Sequence, residues 1–451
     1  MNFTTDEPRL RSDFEKVLEI LKRTPRIDPF FRIGKAEFQE RCSKIQKALA
    51  DNGFDIGFVF SDEHYCGDVP YLGGNTNIQV EQVAGIVGKT GFHLIAGLEG
   101  GYAAEQLSPR SGAIIHKAEI LQLADEKYPV SAERLDEIMV CANGGTMPKK
   151  VALLSPRQVI PAALIDHCGA IVGTENIVDA QELYWKIKYE KSPAELALIR
   201  SAAVVADAVM ETLLRVMRPG MLETQVAAWG YFVARELGAE ELGFDIIVGG
   251  GDANRTLIGK ALNRELKEGD YVQLGVGTKC DGLNACIRRS VILAASPDQV
   301  TPEQKYWFDL VEGAYRTGFA SYCKVAEENL PAKLQEQSLV DYFAEHEAEV
   351  CARIGKQIDL VRQKPYTGTH NSGYTECQEF YGAITLESEE PLGENIVTML
   401  DVALRGVGEH WNDIRIPGFD YVVIEDTLIK TGKSVECVTK LPQNVQKFVS
   451  F

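Results

Sequence analysis

Apolar residues recur at helical spacing from Glu37 to Asn52 and stop at Gly53, so the pattern predicts a helix there. The run Phe54-Asp-Ile-Gly-Phe-Val-Phe60 then reads as a buried strand. Further short strands, at Val83 to Val87, His93 to Ile95 and Val151 to Leu154, alternate with helical stretches. That alternation predicts an α/β domain over residues 36–185, preceded by a charged, proline-dotted surface extension over residues 1–35.

The sharpest boundary is Lys191-Ser-Pro-Ala-Glu195. Ser192 suits an N-cap, Pro193 the first helical position, and Glu195 completes a capping box. A long helix follows to about Met217, and a second spans about Glu223 to Leu237. Thr301-Pro-Glu-Gln304 opens a third helix, and Ser338-Leu-Val-Asp341 a fourth. Between and after them, Asp270 to Gly277 and Leu283 to Leu293 flank Asp281-Gly282, a hairpin signal. Ile396 to Leu404 and Tyr421 to Lys430 read as further strands. Strand pairs and helix pairs together predict an α+β domain over residues 190–451.

Composition narrows the function classes. The 451 residues carry a formal net charge of -18, which disfavours nucleic acid and anionic membranes as partners. No stretch approaches the apolar length of a membrane span, and Met1 to Arg11 has no apolar run of the signal-peptide kind. The 10 cysteines are scattered, with no Cys-x-x-Cys pair. Together these predict a soluble cytoplasmic protein.

Five signals occur in an order that resembles the creatinase, prolidase and aminopeptidase P family. They are the linker at 191–200, the helix pair after it, Glu268-Gly-Asp270 before a strand, His370-Asn-Ser-Gly373, and Ile424-Glu-Asp426. The resemblance runs from about residue 37 to 440. It implies an α/β N-terminal domain plus an α+β pita-bread C-terminal domain, and a homodimer. Peptidases of this family hold two divalent ions with Asp, Asp, His, Glu and Glu, which bridge the metals and activate a shared water. Matched position by position, the first Asp falls at Gly275 and the second at Cys286. The His matches His370, the first Glu falls at Asp401, and the second matches Glu425. The family's upstream histidine falls near Ile258, and no histidine occurs between His167 and His346. A second shuttle histidine falls at Cys377.

Too few hard ligands therefore remain for a dinuclear centre. Three readings stay open. The leading one is a metal-independent hydrolase or lyase of a small amino-acid-like or guanidino substrate, cleaving a C–N bond as creatinase does, although creatinase's own base lies where this chain has no histidine. The second is an Xaa-Pro peptidase-like hydrolase with one metal ion on His370, Asp401 and Glu425. The third is a non-catalytic binding protein on the same fold. His370 is the candidate acid or base. Glu425 and Asp401 position it or bind a cationic group, and Cys286 and Cys377 are candidate nucleophiles or apolar fillers. Strand alternation points one of Arg288 and Arg289 inward, to hold a substrate carboxylate or to neutralise Glu425 or Asp401. The resemblance also makes His64, His410 and Trp411 substrate-binding candidates: the loop of His64 reaches the partner subunit's active site in dimeric relatives, and the loop of His410 and Trp411 lines the pocket. The expected partner is a small-molecule substrate, with no cofactor or at most one divalent ion.

Overall fold

The computed structural model describes residues 6–122, 132–376 and 381–451. The chain divides into two compact units. One comprises Phe31–Glu190 with Gly373–Tyr381, and the other Met1–Phe30, Lys191–Ser372 and Gly382–Phe451.

The first of these units is a six-stranded mixed sheet. Its strands are β1 (Ile56–Ser61), β2 (Val83–Gly88), β3 (Gly91–Ala96), β4 (Ile114–Lys117), β5 (Val151–Leu153) and β6 (Ile177–Asp179). Their order is β4-β3-β2-β1-β5-β6. The predicted helix is observed at Lys35–Asp51, and its apolar stripe buries Phe38, Ile45 and Leu49. β1 is buried along its whole length, as its unbroken apolar run requires.

The second unit carries an eight-stranded sheet. Its strands are β7 (Glu241–Leu242), β8 (Ile247–Gly250), β9 (Tyr271–Cys280), β10 (Leu283–Ile292), β11 (Thr369–Asn371), β12 (Asn395–Arg405), β13 (Tyr421–Thr431) and β14 (Ser434–Cys437). The path is β11-β12-β13-β10-β9-β7, with β14 on β13 and β8 on β9. β9 and β10 form a hairpin whose central residues, Asp281 (φ 49°) and Gly282 (φ 80°), take the positive φ angles that a right-twisted two-residue turn demands.

One face of this sheet is apolar. Val272, Leu274 and Val276 of β9 and Ile287 and Val291 of β10 share a fully buried core with the helices Pro193–Val216 and Glu223–Glu236. Each such aliphatic side chain contributes about 1.5–3 kcal/mol by leaving water. The opposite face bears the alternate positions and is polar. The helix Pro193–Val216 starts at the predicted capping box, where the Ser192 hydroxyl accepts from the Glu195 amide and the Glu195 carboxylate accepts from the Ser192 amide. Thr301 and Gln304 cap the helix Pro302–Glu328 in the same way.

Two expectations differ from what is observed. Residues 6–30 are no loose extension. Asp6 caps a helix, Glu7–Arg23, whose Val17 and Ile20 join the core under the large sheet. The fourth long helix starts at Lys333, not Ser338. Ser338 lies inside it, and its hydroxyl donates back to the Gln335 carbonyl. Among the described residues no helix is long and apolar enough to cross a membrane.

Candidate functional site

Register assembles the candidate site on the polar face of the large sheet. Gly275 on β9 lies opposite Arg288 on β10, Arg288 opposite Glu425 on β13, and Glu425 opposite Asp401 on β12. Side chains of directly opposed residues leave a sheet on the same face, so these four positions form one row. His370 lies on the edge strand β11, opposite Met399, two residues before Asp401 on β12. That puts it on the same face, one step along the strands.

The side chains converge accordingly. His370 Nε2 is 3.7 Å from Glu425 Oε1. His370, Asp401 and Glu425 each offer a ligand atom within 4.8 Å of the others. The His370 Nδ1 lies 3.2 Å from the Asn371 carbonyl, an acceptor for that nitrogen when it carries the hydrogen.

Arg288 sits among them, 4% exposed. Its Nη1 donates to Asp401 Oδ2 (3.4 Å) and the Tyr366 hydroxyl (3.2 Å), and its Nε is 3.9 Å from Glu425 Oε2. Its Nη2 donates to Gln273 Oε1 (3.0 Å), the Tyr421 hydroxyl (3.1 Å) and the Leu257 carbonyl. Burial alone would lower the Arg288 pKa, but Tyr421, Tyr366, Asp401 and Glu425 outweigh it and hold the guanidinium charged. Burial pushes both phenols up, so Tyr366 and Tyr421 stay protonated. Tyr366 donates to Asp401 Oδ1 at 3.0 Å and is 2.7 Å from the Tyr421 hydroxyl. A directed chain therefore runs from Arg288 through Tyr421 and Tyr366 to Asp401.

Arg289 points to the other face and is fully buried. It donates to Asp426 Oδ1 (2.8 Å) and to the carbonyls of Arg288, Glu425, Leu441 and Pro442 at 2.7–2.9 Å. A guanidinium so fully engaged cannot also receive substrate, which corrects its assignment as a substrate-binding candidate. Arg288 lies within ion-pair distance of both Asp401 and Glu425, the geometry that the alternative to substrate binding requires.

Cys286 is fully buried on the row next to Arg288, with its sulfur within 4.8 Å of a Glu425 oxygen. Its backbone amide and carbonyl both bond the Thr427 hydroxyl. Cys377 lies outside the described residues. His410 and Trp411 are exposed in the loop between β12 and β13. His64 belongs to the other compact unit, exposed on a turn held by Asp62. Ile258, where the histidine was sought, is 75% exposed.

The donor set does not suit a bridged metal pair. Gly275 offers no ligand, and a Cβ there would stand 2.9 Å from Ile247 Cδ1. Cys286 is a soft ligand in place of a hard one. Arg288 already presents a positive charge to both remaining carboxylates. A divalent ion about 4 Å from a guanidinium is repelled by about 8 kcal/mol at an effective dielectric of about 20.

Tyr366, Tyr421, Gln273 and Leu257 were not identified from sequence. Tyr421 and Gln273 did carry a signal, since they lie on the site face four residues before Glu425 and two before Gly275. Leu257, at φ 62°, presents its carbonyl through a backbone conformation that no leucine advertises.

The sequence model of metallopeptidase family M24 matches residues 197–427, which span every member of the row. An uncharacterized peptidase of Bacillus subtilis, YqhT, is 24% identical over 243 residues, covering 52% of this chain and 64% of that protein. The chain therefore spans somewhat less than two thirds of that relative. Among solved structures, the prolidase of Pyrococcus horikoshii superposes with a TM-score of 0.69 at 18% identity, covering 90% of this chain and 99% of that one. The X-Pro aminopeptidase of Thermotoga maritima gives 0.70 at 18% identity, with the same coverage. At such identity these likenesses establish the fold, which is the expected pita-bread arrangement.

Proposed function

The chain belongs to metallopeptidase family M24, and we propose that it is a hydrolase of a small amino-acid-like, peptide-like or guanidino substrate, cleaving a C–N bond without a bridged metal pair. The observation that carries this is the placement of His370, its Nε2 3.7 Å from Glu425, beside two carboxylates whose charge Arg288 offsets in part. In the proposed reaction Nε2 takes a proton from water as the water oxygen bonds the substrate carbon. Glu425 stabilises the imidazolium so formed. Nε2 then returns the proton to the leaving nitrogen as the C–N bond breaks. The residual negative charge of the cluster favours a substrate with an ammonium or guanidinium group.

A second reading has more support from the comparisons than the metal-independent one: the family match and the 4.8 Å mutual spacing of His370, Asp401 and Glu425 favour it. It is an Xaa-Pro peptidase-like hydrolase with a single divalent ion. In either reading the protein acts in the cytoplasm on a small molecule, as a homodimer.

The test is a hydrolysis screen of chelator-treated, full-length protein on Xaa-Pro dipeptides, guanidino acids and betaine-like acids, with and without added manganese, zinc or cobalt. The expected result is metal-independent turnover that His370→Gln reduces by about 100-fold or more while the circular dichroism spectrum stays unchanged. Turnover that appears only with metal would establish the second reading. Turnover unaffected by His370→Gln would refute both.

A further inference from the structure

We propose that Arg288 is a resident cation: its guanidinium occupies the place a divalent ion would take on this sheet face, and it makes the site refuse one. This goes beyond the proposed reaction and holds whether or not the site turns over substrate.

Four observations support it. First, the groups around the guanidinium are all oxygen: the Asp401 carboxylate, the amide of Gln273, the phenols of Tyr366 and Tyr421 and the Leu257 carbonyl accept from it, and the Glu425 carboxylate stands at ion-pair distance, 3.9 Å. Convergent oxygens of this kind form the shell of a hard cation. Here a planar five-donor cation fills it. Second, both carboxylates are nearly inaccessible, Asp401 at 7% and Glu425 at 1%, so neither can rely on water for compensation. Third, the backbone is bent to meet the guanidinium, since Leu257 is held at φ 62° while its carbonyl accepts from Nη2. Fourth, the position opposite Arg288 has no side chain, and Ile247 closes the space there. Position 275 thus offers a cation at 288 no competing side chain, while Asp401 and Glu425 lie on the β13 side.

The inference predicts a gain of function. Removing the charge should leave Asp401, Glu425 and His370 as a vacated cation shell, which then binds a divalent ion. The experiment titrates chelator-treated, full-length protein with Mn²⁺, Co²⁺ and Zn²⁺, reading bound metal after gel filtration and the thermal midpoint. Wild type and Arg288→Lys should bind well under one equivalent and show no shift. Arg288→Thr should bind on the order of one equivalent and gain several degrees with Mn²⁺, because a ligand of the folded state alone stabilises it. Arg288→Gln, which keeps length and a donor, makes the same test if the threonine variant does not fold. One tight equivalent on wild type, lost in Asp401→Asn, would overturn the proposal. So would folded Arg288→Thr or Arg288→Gln protein that binds no metal. These readouts are independent of turnover, so an inactive protein that shows the metal gain refutes the proposed reaction and leaves this inference standing.

Discussion

Gly275→Ala probes why the first metal-ligand position is empty. Gly275 faces Ile247 across the β8–β9 pairing. A Cβ built on it stands 2.9 Å from Ile247 Cδ1, 3.2 Å from its Cβ and 3.3 Å from its Cγ1. Real Cβ atoms do not approach that closely, and only the first of those atoms lies at the flexible end of the side chain. Ile247 is 5% exposed in a packed core, so it cannot swing into solvent. Overpacking of this kind costs about 1–3 kcal/mol. Ile247→Val alone should cost about 0.5–1.5 kcal/mol for its lost methyl group. In the double variant the methyl nearest the new Cβ is gone, so the two losses should fall short of their sum by about 0.5–1 kcal/mol. The assay is urea denaturation followed by fluorescence, with the fully buried Trp307 reporting on this unit. A neutral Gly275→Ala, or strict additivity in the double variant, would refute the steric account and leave the missing carboxylate without a packing explanation.

The other predictions concern buried charge. Arg289→Ala should destabilise the same unit by about 3–5 kcal/mol, because it removes the buried countercharge of Asp426, leaving it neutral donors such as Thr439 and Gln443, and takes a donor from several carbonyls. The urea midpoint measures this, and a loss under about 1 kcal/mol would show that the site tolerates relaxation. In the other unit, His93 is pushed down from 6.5 to about 4, chiefly by burial and then by His116, while Glu133 opposes the shift. His93 Nδ1 lies 2.8 Å from His116 Nε2, whose Nδ1 is 2.6 Å from Glu133, and Thr90 bonds the far side of His93. Because the folded pKa is depressed, the stability is complete above about pH 6.5 and is lost as pH falls toward 4, by at most about 3 kcal/mol. Thermal midpoints between pH 7 and 4 should fall less steeply in His93→Gln, and equal slopes would contradict the assignment.

The parts of the fold that sequence revealed are those written in local chemistry. Ser192 and Thr301 announce helices because a hydroxyl and a carboxamide or carboxylate three residues apart satisfy exposed amides in either order of reasoning. Asp281-Gly282 announces a hairpin because few residue pairs tolerate its angles. Ser338 misled because the same hydroxyl pattern also occurs inside a helix, where it bonds the preceding turn. The actual start has no side-chain cap, only Ala332 after Pro331. The helix at 7–23 did carry legible signals, an Asp6 cap and Pro8 in the first turn, which the prolines at 25 and 29 obscured. His370, Asp401 and Glu425 were located by resemblance, and the register brings them together. The fate of the two arginines was not legible. Alternation says that they diverge, but only the strand pairings say which one meets Glu425.

Those pairings also explain how the row accommodates its buried carboxylates. Two carboxylates opposed on adjacent strands and shielded from water must be protonated, bound to a metal, or compensated by a side chain. Protonation would forfeit the charge that orients His370. A bridged metal pair needs the hard ligands that Gly275 and Cys286 do not supply. A side-chain cation must reach both carboxylates from a position that is itself on the row, and residue 288 is the one strand position flanked by Glu425 on one side and by glycine on the other. Arginine suits it better than lysine because its planar fork divides donors among acceptors on opposite sides, with Tyr366 and Asp401 on one nitrogen and Gln273, Tyr421 and Leu257 on the other. The glycine at 275 and the arginine at 288 are register partners on one row. An aspartate facing Ile247 would be crowded, and a metal beside the guanidinium would be repelled. Placing an aspartate at 275 alone should accordingly leave the site without a dinuclear centre.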